Sequence, residues 1–163
     1  MKKKNSKKVL LSIAGSDNTS GAGIQCDIKT SLLLDSYCVN CVSAITAQSS
    51  TGVKKIIYIP EKIIISQLET ILKEFKIDCI KIGLFGDYNS AKSILRTLRK
   101  FQIKVPTVID PIFRSTSKTN FLNKETYINI QKVFAKLDPI FTPNWNELKI
   151  LLNFSEKKKL NQS

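Results

Sequence analysis

Apolar residues along the chain come in short blocks separated by polar, glycine-bearing turns. Residues 9–14, VLLSIA, form one block ended by Gly15, which predicts a buried strand. Residues 24–34 follow with helical spacing, Ile24, Ile28 and Leu32 on one stripe. VNCVSAIT at 39–46 reads as a second strand, and VKKIIYI at 53–59 as a third beyond the turn SSTG. Pro60 can open a helix whose inward face is Ile64, Leu68, Ile71, Leu72 and Phe75. A strand near 78–82 breaks at Gly83, and Asp87 caps a helix through Phe101 with Ile94, Leu95 and Leu98 inward. A strand at 106–110, a helix at 124–136, a strand at 139–142 and a helix at about 145–153 complete the series.

Strands alternating with helices of this length predict an α/β layered domain, a mostly parallel sheet with helices on both faces. The domain is expected at 9–153, between a basic tail at 1–8 and a polar tail at 154–163. In such folds ligands lie beyond the carboxyl ends of the strands. GSDNTSGAG, AQSSTG, GLFG, DPIFRST and TPNWNE all fall at strand ends. Five polar motifs converging on one edge carry more weight than any one of them.

Charge and composition change the picture mainly by exclusion. The net charge is +13, but only three of the 26 basic residues are arginine: Arg96, Arg99 and Arg114. Arginine is the usual reader of base edges and phosphates, and the lysines are spread over nearly every element. A nucleic-acid partner is therefore not expected. No apolar run reaches the ~18 residues of a membrane span, and MKKKNSKK precedes too short an apolar block for a signal peptide. The expectation is a cytoplasmic protein. Histidine is absent, which removes Ser-His-Asp and Cys-His catalysis. Cys38 and Cys41 form a C-x-x-C, with Cys26 and Cys79 isolated. The pair opens a strand rather than a helix, so packing is favoured over zinc or redox chemistry.

The strand-end residues have two readings each. Gly15, Gly21 and Gly23 permit a sharp turn and close approach of a ligand, and the helix starting near residue 23 would direct N–H groups into the same space. Without G-K-[ST] this is not a Walker A loop, and a purely structural turn is the alternative. Asp17 is a candidate counterion. Gln48 can donate and accept toward a nitrogen heterocycle, or simply be a solvated loop residue. Asp110 ends an apolar strand, where a carboxylate belongs to a site rather than a core. Asn144 and Glu147 could share a magnesium site with it, although Asn144 also fits a helix N-cap.

Taken in order, IAGSDNTSGAGIQCDIKT, AITAQSSTGV, IKIGLFG, VIDPIF and FTPNWNEL resemble the hydroxymethylpyrimidine/phosphomethylpyrimidine kinases of thiamine biosynthesis. These are ribokinase-like enzymes, related also to pyridoxal kinases. The resemblance runs from about Val9 to Leu152. It implies a ribokinase-like three-layer sandwich and use of ATP and magnesium to phosphorylate a hydroxymethylpyrimidine and then its monophosphate. Carried over by position, it implies that Gln48 binds the pyrimidine. Gly15, Asp17, Gly21 and Gly23 would line the pocket, with Gly83 and Leu84 as another wall. Asp110, Asn144 and Glu147 would sit on the magnesium and phosphate side.

The departures matter too. Ser20 stands where the family has glycine, Leu84 where it has methionine, and Thr116, Ser117 and Lys118 where it has Lys-Ser-Gly. The family's glycine-rich anion hole and its Cys or Asp base are expected later in the chain. All six glycines here lie at or before Gly86, and no cysteine follows Cys79. The resemblance therefore implies a C-terminally truncated kinase with impaired turnover and no catalytic base. A substrate-binding remnant or a pyridoxal kinase-like activity are the alternatives. An apolar face left uncovered in this way implies self-association, a homodimer being one form of it.

Overall fold

A computed structural model of the chain describes residues 7–113 and 122–152. The start of the basic tail, Arg114, the loop carrying Thr116, Ser117 and Lys118, and the polar tail at 154–163 lie outside the described residues.

The elements follow the apolar blocks in order. They are β1 (Val9–Asp17), α1 (Gly23–Leu33), β2 (Tyr37–Ser49), β3 (Gly52–Tyr58), α2 (Glu61–Glu74) and β4 (Cys79–Ile82). Then come α3 (Tyr88–Lys100), β5 (Thr107–Ile109), α4 (Lys124–Phe134), a 3-10 turn at Ala135–Leu137, β6 (Ile140–Phe141) and α5 (Trp145–Leu151). Local chemistry fixes several boundaries. Asp87 caps α3, its Oδ1 accepting from the N–H groups of Asn89 and Ser90 at 2.8 and 2.9 Å. Asn123 caps α4 in the same way through Thr126 N–H. β1 and β2 run further than the apolar blocks suggest, through Asp17 and Ser49.

Six strands form one sheet in the order β3-β2-β1-β4-β5-β6. All neighbours are parallel except β2 and β3, which form an antiparallel hairpin at one edge. The chain leaves β1 in one direction to β2 and returns on its other side to β4. The crevice beyond the ends of β1 and β4 is thus the topological switch point, where open α/β sheets take ligands.

The register assigns each residue a face. Leu11, Ile13, Val39, Cys41, Ile80, Ile82 and Ile109 point to one side and are buried. They pack against Ile64 and Leu68 of α2, Ala91, Ile94 and Leu98 of α3, and Ile130 and Phe134 of α4. Each fully buried aliphatic side chain contributes roughly 1.5–3 kcal/mol, so this face holds most of the core. The opposite face carries Ser12, Cys38, Cys79, Lys81 and Val108, and α1 packs there on β1 and β2. The stripe expected to bury α1 does so only at Ile24; Ile28 and Leu32 are 41% and 69% exposed. Helical periodicity identified the helix, but among the described residues little lies over its apolar side.

Cys38 and Cys41, three residues apart in a strand, point to opposite faces. Cys41 is buried with its Sγ 3.7 Å from Ile64 O, and Cys38 is half-buried. Burial pushes the two thiols up to about 12 and about 11, the reverse of a reactive pair. The packing reading of the cysteines fits this arrangement, and neither Cys38 nor Cys41 belongs to a cluster of three or more His, Cys, Asp and Glu placed to hold a metal ion among the described residues.

Candidate functional site

β1 ends in a carboxylate that organises its own loop. Asp17 is 4% exposed. Its Oδ1 accepts from Thr19 N–H and Thr19 Oγ1 at 2.7 and 2.8 Å, and its Oδ2 from the N–H groups of Gly21 and Ala22 at 3.1 and 2.9 Å. The two amides just ahead of α1 are thereby taken by the chain itself. Burial pushes the Asp17 carboxyl up, but hydrogen bonds from Thr19, Ala22 and Gln48 outweigh it, and the net direction is below the usual range. Gln25 of α1 braces the same strand end, accepting from Asp17 N–H at 2.9 Å and donating to Ser16 Oγ at 2.7 Å.

Gly23 is obligatory for this packing. It has a φ of +60°, and a Cβ on it would lie 2.3 Å from Gly15 O. Gly15 touches the next wall, since its Cβ would meet Leu84 Cδ2 at 3.2 Å. The Leu84 carbonyl in turn accepts from Ser43 Oγ. Ser43 is the extra residue of a bulge in β2 opposite Ala14 and Gly15. Gln67 of α2 satisfies the backbone there, pairing both N–H and C=O of Val42 at 2.9 and 3.0 Å. The bulge thus ties the ends of β1, β2 and β4 together.

Gln48 sits near the end of β2, clipped by Asn18. The Asn18 side chain accepts from Gln48 N–H at 2.8 Å and donates to Gln48 C=O at 3.0 Å. Across the crevice, Asn144 caps α5 by accepting from Asn146 and Glu147 N–H groups at 3.0 and 3.1 Å. Glu147, 5% exposed, returns the contact to Asn144 N–H at 2.9 Å and also accepts from Phe113 N–H at 3.3 Å. This is a capping box that also anchors the segment after β5. Asp110 differs. Its carboxylate has no hydrogen-bond partner among the described residues, and burial raises its pKa, an effect that Lys81 opposes and Asp27 adds to.

These residues enclose one cavity of about 270 Å³ at the switch point, small beside the roughly 300–1,000 Å³ of drug-sized sites and suited to a single ring. Gly15, Asp17, Gly23, Gln48, Leu84, Asp110, Asn144 and Glu147 all line it. Gly21 lines an adjoining hydroxyl-rich cavity with Thr19, Ser49, Ser50 and Thr51, which shares Asp17, Ala22 and Gln48 with the first. Gly83 lines neither; its missing Cβ leaves room for Lys81 Nζ, which would otherwise be 3.0 Å away. Lys81 itself lines the cavity and was not anticipated, because a lysine within a short strand reads as its solvent side. An oxygen-only donor set with one uncommitted carboxylate fits a hard cation bound largely through water and phosphate. No helix among the described residues is long and apolar enough to cross a membrane.

The family model for phosphomethylpyrimidine kinases matches residues 17–163. The hydroxymethylpyrimidine/phosphomethylpyrimidine kinase of Mycobacterium tuberculosis is 31% identical over 144 residues, 88% of this chain and 52% of that one. Among solved structures, a phosphomethylpyrimidine kinase from Clostridium difficile superposes with a TM-score of 0.82 at 34% identity, covering 91% of this chain and 64% of the other. The pyridoxal kinase of Staphylococcus aureus in complex with pyridoxal gives 0.80 at 28%, covering 92% and 54%. The chain spans about half the length of the curated kinases it matches.

Proposed function

The chain belongs to the phosphomethylpyrimidine kinase family, and from that premise we propose that its switch-point cavity binds an aminopyrimidine alcohol for phosphorylation by ATP. The observation that carries this is the convergence of Gln48, Leu84, Asp110 and the Asp17 loop on one cavity of single-ring size. Gln48 offers an amide to the ring, Leu84 packs on its face, and Gly15 and Gly23 keep the β1 side thin. Asp110 holds magnesium with the phosphates, with Asn144 and Glu147 fixing the wall from which it acts. Phosphoryl transfer is chiefly positioning and charge stabilisation, which these residues supply on the acceptor side.

These 163 residues supply the acceptor side of the site. Calorimetric titration with hydroxymethylpyrimidine checks this: saturable binding is expected, and no binding contradicts it. Pyridoxal is the second acceptor to test, since the Staphylococcus pyridoxal kinase shares the fold at 28% identity.

The exposed side of α1, with Ile28 and Leu32, and Ile140 on β6 at 63% exposure favour self-association of this chain. Sedimentation should reveal species larger than the monomer at micromolar concentration; a monodisperse monomer overturns that part of the proposal.

A further inference from the structure

Lys81 is the one cationic side chain lining the cavity among the described residues; the ionisable groups around it there are Asp17, Asp110 and Glu147. It is a built feature. Lys81 Nζ donates to Asp27 Oδ2 of α1 at 3.2 Å, and the same oxygen accepts from Ser12 Oγ at 2.5 Å. Ser12 is fully buried, and the Lys81 and Asp27 side chains are only 21% and 16% exposed. Ser12 and Lys81 are register partners on β1 and β4, so α1 reaches down with Asp27 to a pair the sheet has already aligned. Gly83 completes the arrangement, because a Cβ there would press on the ammonium.

An ammonium has three donors and no acceptor. Asp27 takes one of Lys81's, and no other described residue accepts from it. Held at one point by Asp27, the ammonium keeps spare donors beside the cavity and loses little side-chain entropy when a ligand meets them. Neutral rings gain little from such a group; anionic oxygens gain a charge-assisted bond.

We propose that Lys81, seated by Asp27 and Ser12, is the residue of this cavity that binds a phosphoryl oxygen of the ligand. This deepens the kinase reading above and rests on it for the identity of the ring. The phosphoryl oxygen can belong to the phosphorylated pyrimidine or to the nucleotide, and the probes separate the two.

Isothermal titration of the 163-residue protein with four probes tests it: the pyrimidine alcohol, its monophosphate, ADP and inorganic phosphate. Lys81→Met should weaken the monophosphate or ADP at least tenfold while leaving the alcohol within twofold. Loss on the monophosphate assigns the contact to the acceptor, and loss on ADP assigns it to the nucleotide. Asp27→Asn, which keeps the cation but loosens its seat, should give a smaller loss with the same ranking. Lys81→Arg guards against a folding artefact and should retain a preference for phosphorylated ligand. Equal losses on all four probes, no loss on any, or a wild-type protein that binds no phosphorylated probe overturns the proposal. If wild type binds ADP or phosphate but neither pyrimidine, and Lys81→Met weakens that binding, the pyrimidine reading fails while Lys81 stands. If both pyrimidines bind and Lys81→Met weakens neither the monophosphate nor ADP, the reverse holds.

Discussion

Asp17 and Asp110 line the same cavity from the ends of two parallel strands, yet their carboxylates are used in opposite ways. Asp17 accepts four hydrogen bonds from its own loop, and these hold its pKa down against burial. Asp110 accepts none from the described residues, and burial raises its pKa. The first is a staple, a carboxylate standing where a helix N-terminus would otherwise attract an anion. The second is costly to the fold and useful only to a ligand or a metal. Being at a strand end does not make a residue functional; what its oxygens are already bonded to does.

The strongest way to break the staple is through the glycine beneath it. Gly23→Ala forces a Cβ to within 2.3 Å of Gly15 O at a φ of +60°, and the expected cost is about 3 kcal/mol or more of stability. Urea denaturation measures it; a loss below about 1 kcal/mol would mean that the loop can open without harm.

Next comes the direct contrast. Asp17→Ala leaves several part-buried donors unpaired and should cost about 2–3 kcal/mol. Asp110→Asn should cost little or stabilise, and still abolish binding that depends on magnesium. The pH dependences have opposite signs. Asp17, with a lowered pKa, contributes stability above the unfolded carboxylate range, and this is lost as pH falls through its folded value. Asp110, with a raised pKa, penalises the fold at neutral pH, and protonation relieves the penalty as pH falls through its folded value. The stability advantage of Asp110→Asn should therefore shrink on acidification, whereas the deficit of Asp17→Ala should shrink for the opposite reason, because wild type loses its staple. Melting curves across pH 3–7 distinguish them, and parallel curves would erase the contrast.

Most of the fold was legible because each element has its own period. The helix after Pro60, the Asp87 cap of α3 and the strand blocks at 9–14 and 39–46 needed only local information. The gathering of Gln48, Asp110, Asn144 and Glu147 followed from strand ends pointing one way. Three things were not legible. Asp17 reads as a free counterion until the positions of Gly21 and Ala22 N–H are known. Lys81 reads as a surface residue until α1 supplies Asp27. Ile28 and Leu32 read as buried, because periodicity cannot tell what lies opposite a helix. Each depends on a long-range neighbour that no local pattern encodes.

If the cavity binds a pyrimidine through Gln48, as proposed, calorimetric titration with 4-amino-5-hydroxymethyl-2-methylpyrimidine will show it. Saturable one-to-one binding is expected, weakened about fivefold or more by Gln48→Ala, the scale of about 1 kcal/mol for one hydrogen bond. An affinity unchanged by Gln48→Ala, or no binding to the wild-type protein, would rule out that role for Gln48.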